Sequence, residues 1–116
     1  MMSVKVYVAG PYSEGDTVLN IRAAIAAANE LLGLGYTPFV PHLSGFWHLV
    51  FPHPYEAWLQ LDLEWLAVCD AVLCLPGRSS GADNEVARAR RLGIPVFSTV
   101  LELNERLMHP FTKPGW

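Results

Sequence analysis

Four short β-rich runs alternate with four helical stretches along this chain, and no other feature constrains its fold as strongly. Val4 to Ala9 (VKVYVA) is a β-rich run stopped by Gly10-Pro11. Thr17 to Leu34 has helical periodicity, with Ile21, Ala24, Ile25, Ala28, Leu31 and Leu32 on one face. Asp16 or Thr17 is its predicted N-cap, and Gly33 and Gly35 stop it. Tyr36 to Val40 reads as a second strand. Ala71 to Leu75 (AVLCL) is apolar throughout, as a strand covered on both faces must be. Pro95 to Ser98 reads as a fourth strand, and helices are predicted over 55–68, 81–92 and 100–107. Strict alternation calls for crossover connections, hence a parallel sheet with helices on both faces. The predicted fold is α/β: three α/β/α layers around a four-stranded parallel sheet, flavodoxin- or Rossmann-like, as one domain over residues 1–116.

Composition narrows the function classes. A chain that is 52% hydrophobic and 16% charged is not disordered. At 116 residues it buries a limited share of its surface alone, so a homo-oligomer is expected. A net charge of −3 gives no broad basic face for nucleic acid or anionic membrane. Arg88, Arg90 and Arg91 read as a solvated helix face. Cys69 and Cys74 match no metal or redox spacing and read as small buried hydrophobes in a reducing cytosol. No signal peptide or membrane span is legible, so the expected location is cytoplasmic. The Pro-rich tail from Met108 to Trp116 is expected to be loose or packed on a neighbour.

In open parallel sheets, ligands bind beyond the carboxyl ends of the strands. Here those ends are Gly10-Pro11-Tyr12-Ser13, Pro41-His42 and Pro76 to Gly81. Pro41 to Pro54 reads as a long loop, rich in His and aromatic residues, of the kind that carries function or covers something. His42 is placed to touch a ligand. His48 and His53 read as packing or capping groups, and Trp47 and Phe46 as a cover or a stacking surface. The four His match no metal-binding spacing, and no metal or cofactor is expected.

Two carboxylates are out of place. On the helix over 55–68 the polar stripe is Glu56, Gln60 and Glu64, whereas Asp62 has Trp58, Leu59, Trp65 and Leu66 as helical neighbours. A carboxyl buried there is paired, hydrogen-bonded or protonated. Glu85 shares a face with Ala82, Ala89 and Leu92, opposite Asn84, Arg88 and Arg91. It reads as a first-turn residue whose pKa falls in the field of the helix terminus. Asp62 in an apolar nest should instead titrate high. Such a pair suits acid and nucleophile in glycoside-type chemistry. The loop ahead of Glu85 (Ser79, Ser80, Gly81) reads either as a plain helix cap or as a phosphate or sugar contact.

These elements together resemble the nucleoside 2-deoxyribosyltransferase-like superfamily, which includes nucleotide N-glycosidases. The matching stretches are Val6-Tyr7-Val8-Ala9-Gly10-Pro11-Tyr12-Ser13, Asp62-Leu63-Glu64-Trp65-Leu66 and Ser79-Ser80-Gly81-Ala82-Asp83-Asn84-Glu85, with Gly93-Ile94-Pro95-Val96. The resemblance implies that Glu85 is the nucleophile at the anomeric carbon, that Asp62 protonates the leaving base and that Tyr7 positions the nucleophile. It implies that Ser79 binds near the sugar or phosphate, and that Gly10, Tyr12 and Ser13 contact the nucleotide. The implied activity is cleavage of the N-glycosidic bond of a nucleoside or its monophosphate, by a hydrolase or a transferase. The His-rich stretch 42–53 has no clear equivalent in the characterised enzymes. Two alternatives stand beside this one. A cytokinin-activating phosphoribohydrolase shares the Pro-Gly…Gly…Glu outline, but Arg78 and Ser79 break its motif. A nucleotide-sensing module would bind without turnover.

Overall fold

The computed structural model describes residues 3–108; the Pro-rich tail beyond them falls outside the described residues. Four strands, β1 (Lys5–Ala9), β2 (Thr37–Phe39), β3 (Ala71–Cys74) and β4 (Val96–Phe97), form one sheet in the order β2-β1-β3-β4. All neighbouring pairs are parallel. The helices are α1 (Thr17–Gly33), α2 (Ser44–Val50), α3 (Tyr55–Leu66), α4 (Ser80–Arg91) and α5 (Val100–Met108). The α/β fold with a four-stranded parallel sheet is the predicted one. Among the described residues no helix is long and apolar enough to cross a membrane.

The sheet has a core on each face, as the strand period of two requires. Val6, Val8, Ala71 and Leu73 point to one side, where Ala24, Ala28 and Leu31 of α1 and Leu103 of α5 cover them. Tyr7, Ala9 and Val72 point to the other, against Leu66 of α3 and Ala82 and Ala89 of α4. Tyr7 therefore stands on the face shared with α3 and α4, the two helices that carry the misplaced acids.

Helix ends follow local chemistry. Asp16 caps α1, its side chain accepting the Leu19 N–H at 3.1 Å. Ser79 caps α4, its hydroxyl accepting the Ala82 N–H at 3.0 Å. Gly77, with φ +116°, turns the chain between β3 and α4. A Cβ on Gly77 would lie 2.7 Å from Pro11 Cγ, so glycine lets the loops after β1 and β3 close on each other.

Two expectations need correction. Pro41 to Pro54 is not a long loop: Pro41–Leu43 is a 3-10 turn and Ser44–Val50 is helix α2. The prolines at 41, 52 and 54 leave a proline-free interval long enough for two helical turns. Seven residues are too few for periodicity to reveal them. Leu92 does not share the apolar face of Glu85; it is the C-cap of α4 and exposed.

Candidate active site

The carboxyl ends of β1, β2 and β3 surround a cleft of about 400 Å³, closed on its far side by α2 and α3. The opening between β1 and β3 is the point where the chain reverses its winding, the expected ligand position in such sheets. Gly10, Tyr12, Ser13 and His42 line the cleft, as do Ser79, Ser80 and Gly81. Asp62 and Glu85 line it too. Tyr7 lies beneath, fully buried. The fold thus brings every sequence-predicted site residue to one cleft or its floor.

Glu85 is buried, and its Oε2 accepts the Tyr7 hydroxyl at 2.5 Å. Burial pushes the Glu85 carboxyl up to about 7; the Tyr7 hydrogen bond opposes this and the nearby Asp62 charge adds to it. Burial and the two carboxylates hold the Tyr7 phenol far above its usual range, so it stays a donor. This corrects the expectation of a lowered Glu85 pKa. α4 starts at Ser80, so Glu85 falls in the second turn, and the first-turn acid is Asp83. The field of the terminus fades within a turn, and desolvation wins.

Asp62 behaves as expected from its apolar neighbours. Burial raises its carboxyl to about 7, and its buried Oδ1 has no hydrogen-bond partner. Phe39 lies between Tyr7 and Trp65, tilted on the first and stacked on the second, each ring pair with centroids 5.6 Å apart.

His42 is buried, and its Nε2–H donates to the Pro11 carbonyl at 2.9 Å. Its Nδ1 is then an acceptor, buried and without a partner. Desolvation lowers its pKa, against the opposing backbone carbonyls of Pro11 and Gly10. Asn20 steadies the loop after β1 by donating to the carbonyls of Tyr12 and Glu14. A Cβ on Gly45 would collide with the Tyr12 hydroxyl, so glycine seats Tyr12 against α2.

Sequence reasoning missed the wall built by α2 and α3. His48, His53, Tyr55 and Trp58 all line the cleft. His48 packs into the loop ahead of α3, accepting the His53 backbone N–H at 3.2 Å, and it also lines the cleft. The available signal was three His and two Trp within seventeen residues, 42 to 58. Both cysteines are free, and burial raises both thiols, which disfavours a thiolate nucleophile. Among the described residues no group of His, Cys, Asp and Glu could hold a metal ion.

A family profile described as Domain of unknown function (DUF7768) matches residues 4–99. No curated protein matches the chain. A solved structure that does resemble it is the 2-deoxyribosyltransferase of the psychrotolerant bacterium Bacillus psychrosaccharolyticus, a biocatalyst for the synthesis of antiviral and antitumoral nucleosides. The two are 21% identical, with a TM-score of 0.59 over 80% of this chain and 69% of that one. The likeness is one of fold.

Proposed function

We propose that this chain, which belongs to the DUF7768 family, cleaves the N-glycosidic bond of a nucleoside through a glycosyl intermediate on Glu85. The observation that carries this reading is the Tyr7–Glu85 hydrogen bond at the floor of a cleft that Asp62 also lines. Fold kinship with a 2-deoxyribosyltransferase agrees with it.

Both carboxyls titrate near 7, so their roles follow from what each one touches. Tyr7 donates to Glu85 and stabilises its anion, whereas Asp62 has no such donor at Oδ1. On that basis the acid role falls to Asp62 and the carboxylate role to Glu85. Glu85 attacks C1′; the C1′–N bond breaks and its electron pair leaves with the base, which takes the proton of Asp62. Water or a second base then displaces Glu85 from C1′, and Asp62 recovers the incoming proton. Gly10, Tyr12, Ser13, His42, Ser79, Ser80 and Gly81 hold the substrate.

Charge favours an uncharged nucleoside over its monophosphate. Glu14 and Glu85 line the cleft, and among the described residues no Lys or Arg does. A phosphate dianion there would lose hydration without gaining a cation.

A homo-oligomer completes the proposal. Phe46, Leu49 and Val50 of α2 and the adjoining Phe51 are exposed, and no charged residue occurs between Pro41 and Tyr55. An apolar patch of this kind fits a second copy better than water.

The test is incubation with deoxy- and ribonucleosides and their 5′-monophosphates, with free base followed by chromatography. A second free base added to the mixture reports transfer. Base release from nucleosides, lowered roughly 10⁴-fold in Glu85→Ala, is expected. Release that survives Glu85→Ala unchanged would overturn the mechanism.

A further inference from the structure

The stretch from His42 to His53 takes no part in the carboxylate chemistry, yet it closes one side of the cleft. Within it, His48, like His42, is held in a defined tautomer. His48 Nδ1 accepts the indole N–H of Trp58 at 2.8 Å and the backbone N–H of His53 at 3.2 Å. Both groups can only donate, so Nδ1 keeps its lone pair and the ring proton sits on Nε2. That Nε2–H is the ring's remaining polar group, on a residue that lines the cleft.

Aromatic rings surround the residue that holds this histidine. Trp58 meets the rings of Trp47, His48 and His53 edge-on, with centroids 5.0, 5.8 and 5.4 Å away. The three partners hold one indole from several sides, and that indole in turn fixes the His48 ring. The aromatic faces also offer a base a stacking surface.

Position along α3 says which part of a substrate arrives there. Trp58 and Asp62 are four residues apart on one helix and both line the cleft. That is one turn, about 6 Å along the axis. Asp62 lies close enough to Glu85 for its charge to bear on it. His48 packs on Trp58, which stands one turn of α3 from Asp62. A base whose glycosidic side meets Asp62 and Glu85 therefore turns its distal edge to His48.

We infer that His48 is a specificity residue whose fixed Nε2–H selects nucleobases with a carbonyl on the distal edge. The favoured class is 6-oxopurines and 4-oxopyrimidines, over their 6-amino and 4-amino counterparts. An exocyclic carbonyl accepts this hydrogen bond. An exocyclic amino group presents a second donor, so that hydrogen bond is not made. This assignment rests on the proposed nucleoside chemistry for its orientation of the substrate.

Matched pairs test it. 2′-Deoxyinosine and 2′-deoxyadenosine differ at the 6-position, and 2′-deoxyuridine and 2′-deoxycytidine at the 4-position. In the unaltered protein kcat/KM is expected to favour the oxo member of each pair on the order of ten- to a hundredfold. His48→Phe keeps a ring against Trp58 and removes the donor, so both ratios should fall towards one. His48→Gln, whose amide can turn to donate or accept, should also narrow the ratios, and it serves should the Phe variant not fold. Absence of a preference in the unaltered protein overturns the assignment. So does a ratio that survives both substitutions while overall activity drops, since His48 would then be only structural.

Calorimetric titration with free hypoxanthine and free adenine separates this inference from the catalytic reading. Tighter binding of hypoxanthine, lost in His48→Phe, upholds the assignment even if no nucleoside is cleaved. Equal binding of the two bases overturns it.

Discussion

The Tyr7 hydroxyl on β1 donates to Glu85 Oε2 on α4 at 2.5 Å, with both side chains buried. The contact joins residues seventy-eight positions apart and links the centre of the sheet to the floor of the cleft. It also gives Glu85 a hydrogen-bond donor that Asp62 lacks at Oδ1.

The rate should therefore depend on pH as a bell centred near neutrality. Glu85 must be ionised and Asp62 protonated, and both carboxyls titrate at about 7. Tyr7→Phe removes a hydrogen bond that lowers the Glu85 pKa, so the ascending limb of kcat/KM should move to higher pH. A profile of kcat/KM against pH for both proteins is the measurement. An unmoved ascending limb would mean that Tyr7 does not hold the nucleophile.

Asp62→Asn should slow base release by about 10²- to 10⁴-fold. The loss should be largest for bases that leave poorly, because they depend most on protonation, and the descending limb should disappear. A series of nucleosides graded by the basicity of the leaving base checks this. Equal slowing across the series would exclude an acid role.

The same carboxyls leave a mark on stability. Asp62 rises from 3.8 and Glu85 from 4.5, each to about 7 on folding, so the folded state binds more protons between these limits. The sites' contribution is complete below the unfolded values, falls as pH rises towards 7 and levels off above it. The slope is at most about 1.4 kcal/mol per pH unit for each group. Urea unfolding from pH 4 to 8 should give a difference between Asp62→Asn and the unaltered protein that grows with pH in favour of the variant. A flat difference would place Asp62 in water.

Light scattering should give a mass above that of one chain. Leu49→Glu sets a charge into the exposed apolar face of α2 and should return the protein to a monomer. A monomeric unaltered protein would remove this proposal.

Much of the fold was legible because it rests on short-range patterns. The apolar run at 71–75 and the Gly-Pro stop after Ala9 place β1 and β3, and strict alternation leaves a parallel sheet as the consistent arrangement. Helical spacing likewise picked out Asp62 and Glu85 as carboxyls facing the wrong way, since periodicity reports which face a residue takes. α2 escaped because two turns between prolines carry too little periodic signal. The same stretch hid the wall of His48, His53 and Trp58, whose members come from separate elements.

The sequence by itself determined the alternating α/β order, the three loops that meet at the strand ends and the inward direction of both acids. Only the tertiary structure decided their electrostatics. The pKa of Glu85 depends on how much water is removed and on a hydroxyl from a distant strand, and desolvation there outweighs the helix field that local reasoning relied on. The tautomer of His48 was likewise decided by Trp58 and His53 meeting one ring nitrogen. Faces follow from local geometry, whereas the charge and proton on each group follow from the company that folding brings.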